Sequence, residues 1–194
     1  FRRVLFRSTY SENIYGTNNK ATVTSSTAPT LKIKFGTSTE RTATFSSTSG
    51  ATITYTYTIA SGDNGTLAVT GHSGTVYDAL GNSLSVGTKT IGGNAIVADT
   101  TAPTITVSPE SATSCKTKSV TITVADSGTG ASGLSTSNSY QYYLSSSSTA
   151  LSSGSWTDYT SGTAFTAGSG KTGTYYLFVK RVNDKAGNTS TTNG

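Results

Sequence analysis

Thr52-Ile53-Thr54-Tyr55-Thr56-Tyr57-Thr58-Ile59 alternates threonine with an apolar or aromatic residue at every step. Successive side chains of an extended chain point to opposite faces, so the stretch predicts a strand with one buried face and one hydroxyl-bearing face. Asp63-Asn64-Gly65 follows as a turn, because Asn-Gly accepts positive φ cheaply. Upstream, Leu31, Ile33 and Phe35 alternate with Lys32 and Lys34, and Ala43 and Phe45 continue in the next strand. Leu67 and Val69, Val76, Leu84 with Val86, and Ile96 with Val97 mark further short strands. The later half of the chain shows the same alternation at Ile105 and Val107, at Val120, Ile122 and Val124, and from Tyr140 to Leu144. Trp156 to Tyr159, Ala164 to Phe165 and Thr174 to Val182 complete the set. No segment sustains a 3.6-residue apolar period with caps, so no helix is expected and the fold class is all-β.

Two phrases occur twice, in the same order. Thr27-Ala28-Pro29-Thr30 returns as Thr101-Ala102-Pro103-Thr104, and Asp78-Ala-Leu-Gly81-Asn82 returns as Asp184-Lys-Ala-Gly187-Asn188. A repeat of this kind implies two copies of one β module in tandem, residues 27–100 and 101–194. Pro29 and Pro103 fix φ and bias the preceding alanines to extended conformations, which would make short, semi-rigid junctions. Residues 9–26 read as the tail of a truncated preceding module.

Composition narrows the function. Of 194 residues, about 70 are serine or threonine and only 12% are charged. The first eight residues, Phe1-Arg-Arg-Val-Leu-Phe-Arg-Ser8, do not share this composition and read as the translation of a sequencing-library adapter. Without their three arginines the net charge of +5 falls to +2, and the case for nucleic acid loses its compositional support. No apolar run is long enough to cross a membrane as a helix. With no methionine, the chain is expected to be an internal fragment of a longer protein. The single Cys115 has only His72 as a possible histidine partner, which is thin material for nucleophilic catalysis.

Asp99-Thr-Thr-Ala-Pro-Thr104, Gly173-Thr-Tyr-Tyr-Leu-Phe-Val-Lys-Arg-Val-Asn-Asp-Lys-Ala-Gly-Asn188, and Tyr55-Thr-Tyr-Thr-Ile-Ala-Ser-Gly-Asp63 followed by Val76-Tyr-Asp-Ala-Leu-Gly-Asn82 resemble bacterial immunoglobulin-like repeats of surface and adhesin-type proteins. The resemblance covers residues 27–194. It implies two tandem immunoglobulin-like β-sandwiches serving as a non-catalytic spacer or stalk, extracellular or at the bacterial cell surface. The partners would be neighbouring modules of the same chain. The modules are unequal, with an insertion region at residues 135–154. The alternatives are a module that binds carbohydrate or a host surface protein, and an accessory module of a secreted hydrolase.

Four candidate chemistries remain. The aromatics Tyr142, Tyr143, Trp156 and Tyr159, with Tyr175 and Tyr176 nearby, offer a sugar-stacking face, although alternation sends about half of them inward and Trp156 is expected in the core. Asp78, Asp99 and Asp184 offer loop carboxylates for calcium, but each D-x-x-G-N is equally a turn and the dense acidic spacing of a strong calcium loop is missing, so no cofactor is expected. Gly128-Thr-Gly130-Ala-Ser-Gly133 matches a dinucleotide loop yet precedes no helix, so it reads as a plain loop. An intramolecular Lys–Asn isopeptide would draw on Lys32, Lys34 and Asn94.

Overall fold

The computed structural model describes residues 2–85, 95–110, 118–150 and 155–191. Val86, Asn94 and Cys115, and the end of the 135–154 insertion, lie outside the described residues. Every regular element is a strand and every pairing is antiparallel; the described residues contain no helix. The chain divides into two compact units, Phe1–Thr100 and Thr101–Gly194.

The first unit is built on a six-stranded sheet. Its strands are β1 (Arg3–Thr9), β2 (Thr30–Phe35), β3 (Arg41–Ser49), β4 (Thr52–Thr58), β5 (Gly65–Ser73) and β8 (Val97–Ala98), in the order β1-β4-β3-β2-β5-β8. A separate hairpin pairs β6 (Thr75–Tyr77) with β7 (Ser83–Ser85). The alternation read from the sequence sets the buried face. Ile33, Phe35, Ile53 and Tyr55 are at most 1% exposed, and Leu31, Ala43, Leu67 and Phe6 join them in one cluster. A β-bulge between Lys32 and Ile33 shifts the register against β5.

Residues before β2 belong to this unit. The adapter-like segment forms β1, paired along its whole length with β4 from Arg3↔Thr58 to Thr9↔Thr52, and Phe6 reaches the core. Residues 9–26, expected as the tail of another module, supply buried Ile14 and Val23 to the same core, and Tyr15 bridges Tyr77 of β6. Pro29, expected at a junction, is buried within the unit: the Tyr55 hydroxyl donates to its carbonyl at 2.7 Å. The Tyr10 hydroxyl is buried with no hydrogen-bond partner among the described residues.

The second unit has two three-stranded sheets. One joins β13 (Ala164–Ala167), β10 (Lys118–Ala125) and β9 (Thr104–Ser108); the other joins β12 (Thr157–Asp158), β11 (Gln141–Ser145) and β14 (Tyr176–Val179). Ile105, Val120, Ile122, Val124 and Ala167 from the first sheet cluster with Val179 from the second and with Val182. Tyr142, Leu144 and Leu177 of the second sheet pack against the same cluster. Thr121 and Thr123 occupy the intervening positions of β10.

The repeated phrases do equivalent work in each unit. Each T-A-P-T buries its proline and passes directly into a strand, β2 or β9. Ile122 is 0% exposed at the middle of β10. Truncation there removes packed methylenes and leaves a cavity, so Ile122→Ala is expected to cost about 2–5 kcal/mol. Urea unfolding of the variant beside the parent chain checks this.

Candidate functional site

Alternation across the β12–β11–β14 sheet sorts the four aromatic residues singled out in the sequence. On β11, Tyr142 and Leu144 face the core, so Gln141, Tyr143 and Ser145 face the other side. Tyr142 stacks on Phe165 at 4.5 Å between centroids and meets Tyr159 edge-on at 6.4 Å. Tyr159 packs against the core as well, and burial pushes its phenol up to about 12. Tyr142 and Tyr159 are therefore packing residues.

Tyr143 and Trp156 lie on the opposite face. The Tyr143 ring stacks on Phe178 at 5.0 Å, and the Trp156 indole stands perpendicular to it at 4.8 Å. Alternation alone expects Trp156 in the core, and register explains the difference. Thr157 pairs with Tyr142 and shares its side of the sheet, so its neighbour Trp156 falls beside Tyr143. Trp156 is 40% exposed, with Tyr176 at 38% and Tyr175 at 37%. Tyr176 shares the Phe178 face of β14, two positions along.

A polar row borders these rings. Gln141 donates from Nε2 to Asp158 Oδ1 at 2.8 Å, and Lys180 Nζ donates to Gln141 Oε1 at 2.9 Å. The same ammonium lies 5.9 Å from the Trp156 ring centroid, a cation–π placement. Lys171 is set over the exposed Tyr175 ring at 5.1 Å. The face thus combines an open indole with donors and acceptors held by one another. Neither Gln141 nor Lys180 stands out in the sequence, because only strand register brings them to the indole.

The candidate calcium ligands are placed differently. Asp78 and Asp184 build the same turn. Asp78 Oδ1 accepts from the Leu80 and Asn82 amides and Oδ2 from Asn82 Nδ2, all at 2.7–2.8 Å. Asp184 Oδ1 accepts from the Gly187 and Asn188 amides and Oδ2 from Asn188 Nδ2, at 2.6–2.8 Å. In both, the aspartate amide donates to the asparagine carbonyl at 3.0 Å, which closes the hairpin. Gly81 (φ +84°) and Gly187 (φ +97°) supply the left-handed residue that such a closure needs. The shared spacing of acid, glycine and asparagine is thus a self-contained carboxylate cage. Asp99 directly follows β8 and is half-buried. In the second unit an Asp126 carboxylate oxygen comes within 4.8 Å of one of Asp184.

The remaining motifs resolve into structure. The Gly128–Gly133 loop docks on the second D-x-x-G-N turn: Lys185 N donates to Gly133 O at 2.9 Å, and Ala186 N to Ser132 Oγ at 3.1 Å. The Lys32 ammonium donates to the Thr42 hydroxyl across the β2–β3 pair. His72 packs edge-on against Tyr55 at 6.3 Å.

One polar centre escapes a reading of the sequence. Asp63, expected only as a turn residue, is fully buried and accepts from Arg41 Nε at 3.1 Å, Tyr57 Oη at 2.7 Å and the Ala60 amide at 2.8 Å. Its neighbour Asn64 accepts from the Thr100 amide at 2.6 Å, so this corner also secures the end of the first unit. Arg41 lies 22 positions away, and no local pattern announces the pair.

The chain matches no protein-family model, no curated protein and no solved structure.

Burial works to raise the Asp63 carboxyl, but the Tyr57, Ala60 and Arg41 hydrogen bonds outweigh it and hold the group below its ordinary value. The Asn82 side chain and amide, then the Leu80 and Gly81 amides, hold Asp78 below it too. A depressed carboxylate contributes its stability in full above the ordinary value of about 4 and loses it as pH falls through the folded value. Urea midpoints measured from pH 7 to pH 2 are expected to fall on the acid side, and the fall to be shallower in the Asp63→Asn, Asp78→Asn double variant. Because both turn carboxylates are satisfied by their own loops, thermal midpoints with millimolar calcium and with chelator are expected to coincide.

Proposed function

We propose that the chain is a non-catalytic spacer segment built of tandem immunoglobulin-like β-sandwich modules, part of a bacterial exported or cell-surface protein of the adhesin type. The observation that carries this reading is the recurrence of one carboxylate cage at the D-x-x-G-N turn of each unit. A second T-A-P-T entering a strand at the corresponding point supports it. Chains that repeat one small module in series gain reach by adding copies, each with its own core. The second unit, with two sheets burying one cluster, fits the sandwich description; the first fits it through its six-stranded sheet and the packed β6–β7 hairpin.

The distribution of polar chemistry also supports a structural role. Asp63, Asp78 and Asp184 are spent on holding turns, and the half-buried His72 is packed against a core tyrosine. A spacer needs units that resist and recover from load separately. Pulling the chain by its ends in a force spectrometer is expected to give two separate unfolding events. Each should release about 30 nm, the extended length of roughly a hundred residues. A single merged event, or smooth extension, would remove the spacer reading.

A further inference from the structure

We propose that the outer face of the β12–β11–β14 sheet is a binding site for a neutral oligosaccharide, seated on Trp156 and hydrogen-bonded by the Asp158–Gln141–Lys180 row. This goes beyond the spacer role and does not depend on it.

An indole is the largest apolar side chain and is usually mostly buried. Here a second, outer aromatic layer holds it at the surface. Tyr143 and Phe178, each 5% exposed, stack as a floor, and Trp156 stands on that floor with two-fifths of its surface open. The buried floor fixes the indole without covering it. Tyr176, on the same face, extends the aromatic surface along β14.

The polar row selects the ligand class. Pyranose rings present C–H faces that pack on aromatic planes, and hydroxyls that both donate and accept. The row offers both functions side by side: carboxylate oxygens at Asp158 of β12, an amide at Gln141 of β11 and an ammonium at Lys180, just past β14. The ammonium spends one of its three donors on Gln141 and lies over one face of the indole, so a sugar stacks on the other face with the ammonium at its border. Within the row the one negative charge offsets the one positive charge, so it carries no net charge to draw a polyanion or a polycation. An added peptide strand is a poorer fit, because the two edges of this sheet, β12 and β14, are only two and four residues long.

The chain has one tryptophan, so its fluorescence reports on this face alone. Maltohexaose, cellohexaose, xylohexaose and chitohexaose are titrated against the intact chain, with heparin as the polyanion. The expected result is a saturable shift in Trp156 emission with at least one neutral oligosaccharide and none with heparin. Calorimetry with that oligosaccharide should show at least about tenfold weaker binding for Trp156→Ala and for Gln141→Ala. Leu80→Ala, an exposed position in the first unit, should bind as the parent does. Near-ultraviolet dichroism of the tyrosines confirms that each variant is folded, and Gln141→Ala retains the indole should Trp156→Ala unfold. No response to any of the four neutral probes overturns the proposal. So does a response to heparin alone, or undiminished binding in a folded Trp156 or Gln141 variant.

Discussion

Away from bulges, a β-strand places sequence neighbours on opposite sides of the sheet, and the cores of this protein depend on that constraint. Only a third of its residues are hydrophobic and 12% are charged, so neither a surplus of apolar surface nor a charge pattern can orient its strands. Threonine supplies the difference. It is β-branched, so it suits the pleat on either face, and its hydroxyl tolerates solvent. Between the threonines, single apolar residues such as Ile53 and Ile122 define which side is core. The same constraint turned outward gives the second unit its aromatic face. The strand that commits Tyr142 to the core must offer Tyr143 to the other side.

Where strands end, carboxylates take over the organising role. Buried acids are costly unless their oxygens are satisfied, and each of these is satisfied. Asp78 and Asp184 collect donors from the four residues that follow them, so the hairpin and the carboxylate stabilise one another. Asp63 collects donors from two other strands as well as its own loop, which makes it a tie between β3, β4 and the turn before β5. The local cages recur in both units; the long-range tie belongs to the first.

Most strands were legible because alternation is a local property, visible in Leu31-Lys-Ile-Lys-Phe35 or Thr52-to-Thr58 without any knowledge of partners. The D-x-x-G-N turns were legible for the same reason, since the bonds that each turn carboxylate accepts close within five residues. The face of Trp156 was not. A two-residue strand carries no period of its own, and its phase comes only from pairing with β11. Residues 9–26 were equally opaque, because Ile14 and Val23 are isolated apolar positions whose burial depends on a sheet formed by later sequence. The tie from Arg41 to Asp63 is of this kind too: each residue is ordinary in its own neighbourhood, and only the fold brings them together.

The buried phenols set a limit of another sort. Burial raises the hydroxyls of Tyr10 and Tyr159 to about 12 and drives that of Tyr55 higher still. An unfolded tyrosine ionises near 10, so the stability these groups contribute is whole below that pH and drains away as alkalinity climbs through the raised values. Strong base therefore works against the fold from its interior, by charging rings that the fold keeps neutral, and it does so in both units because each has such a phenol.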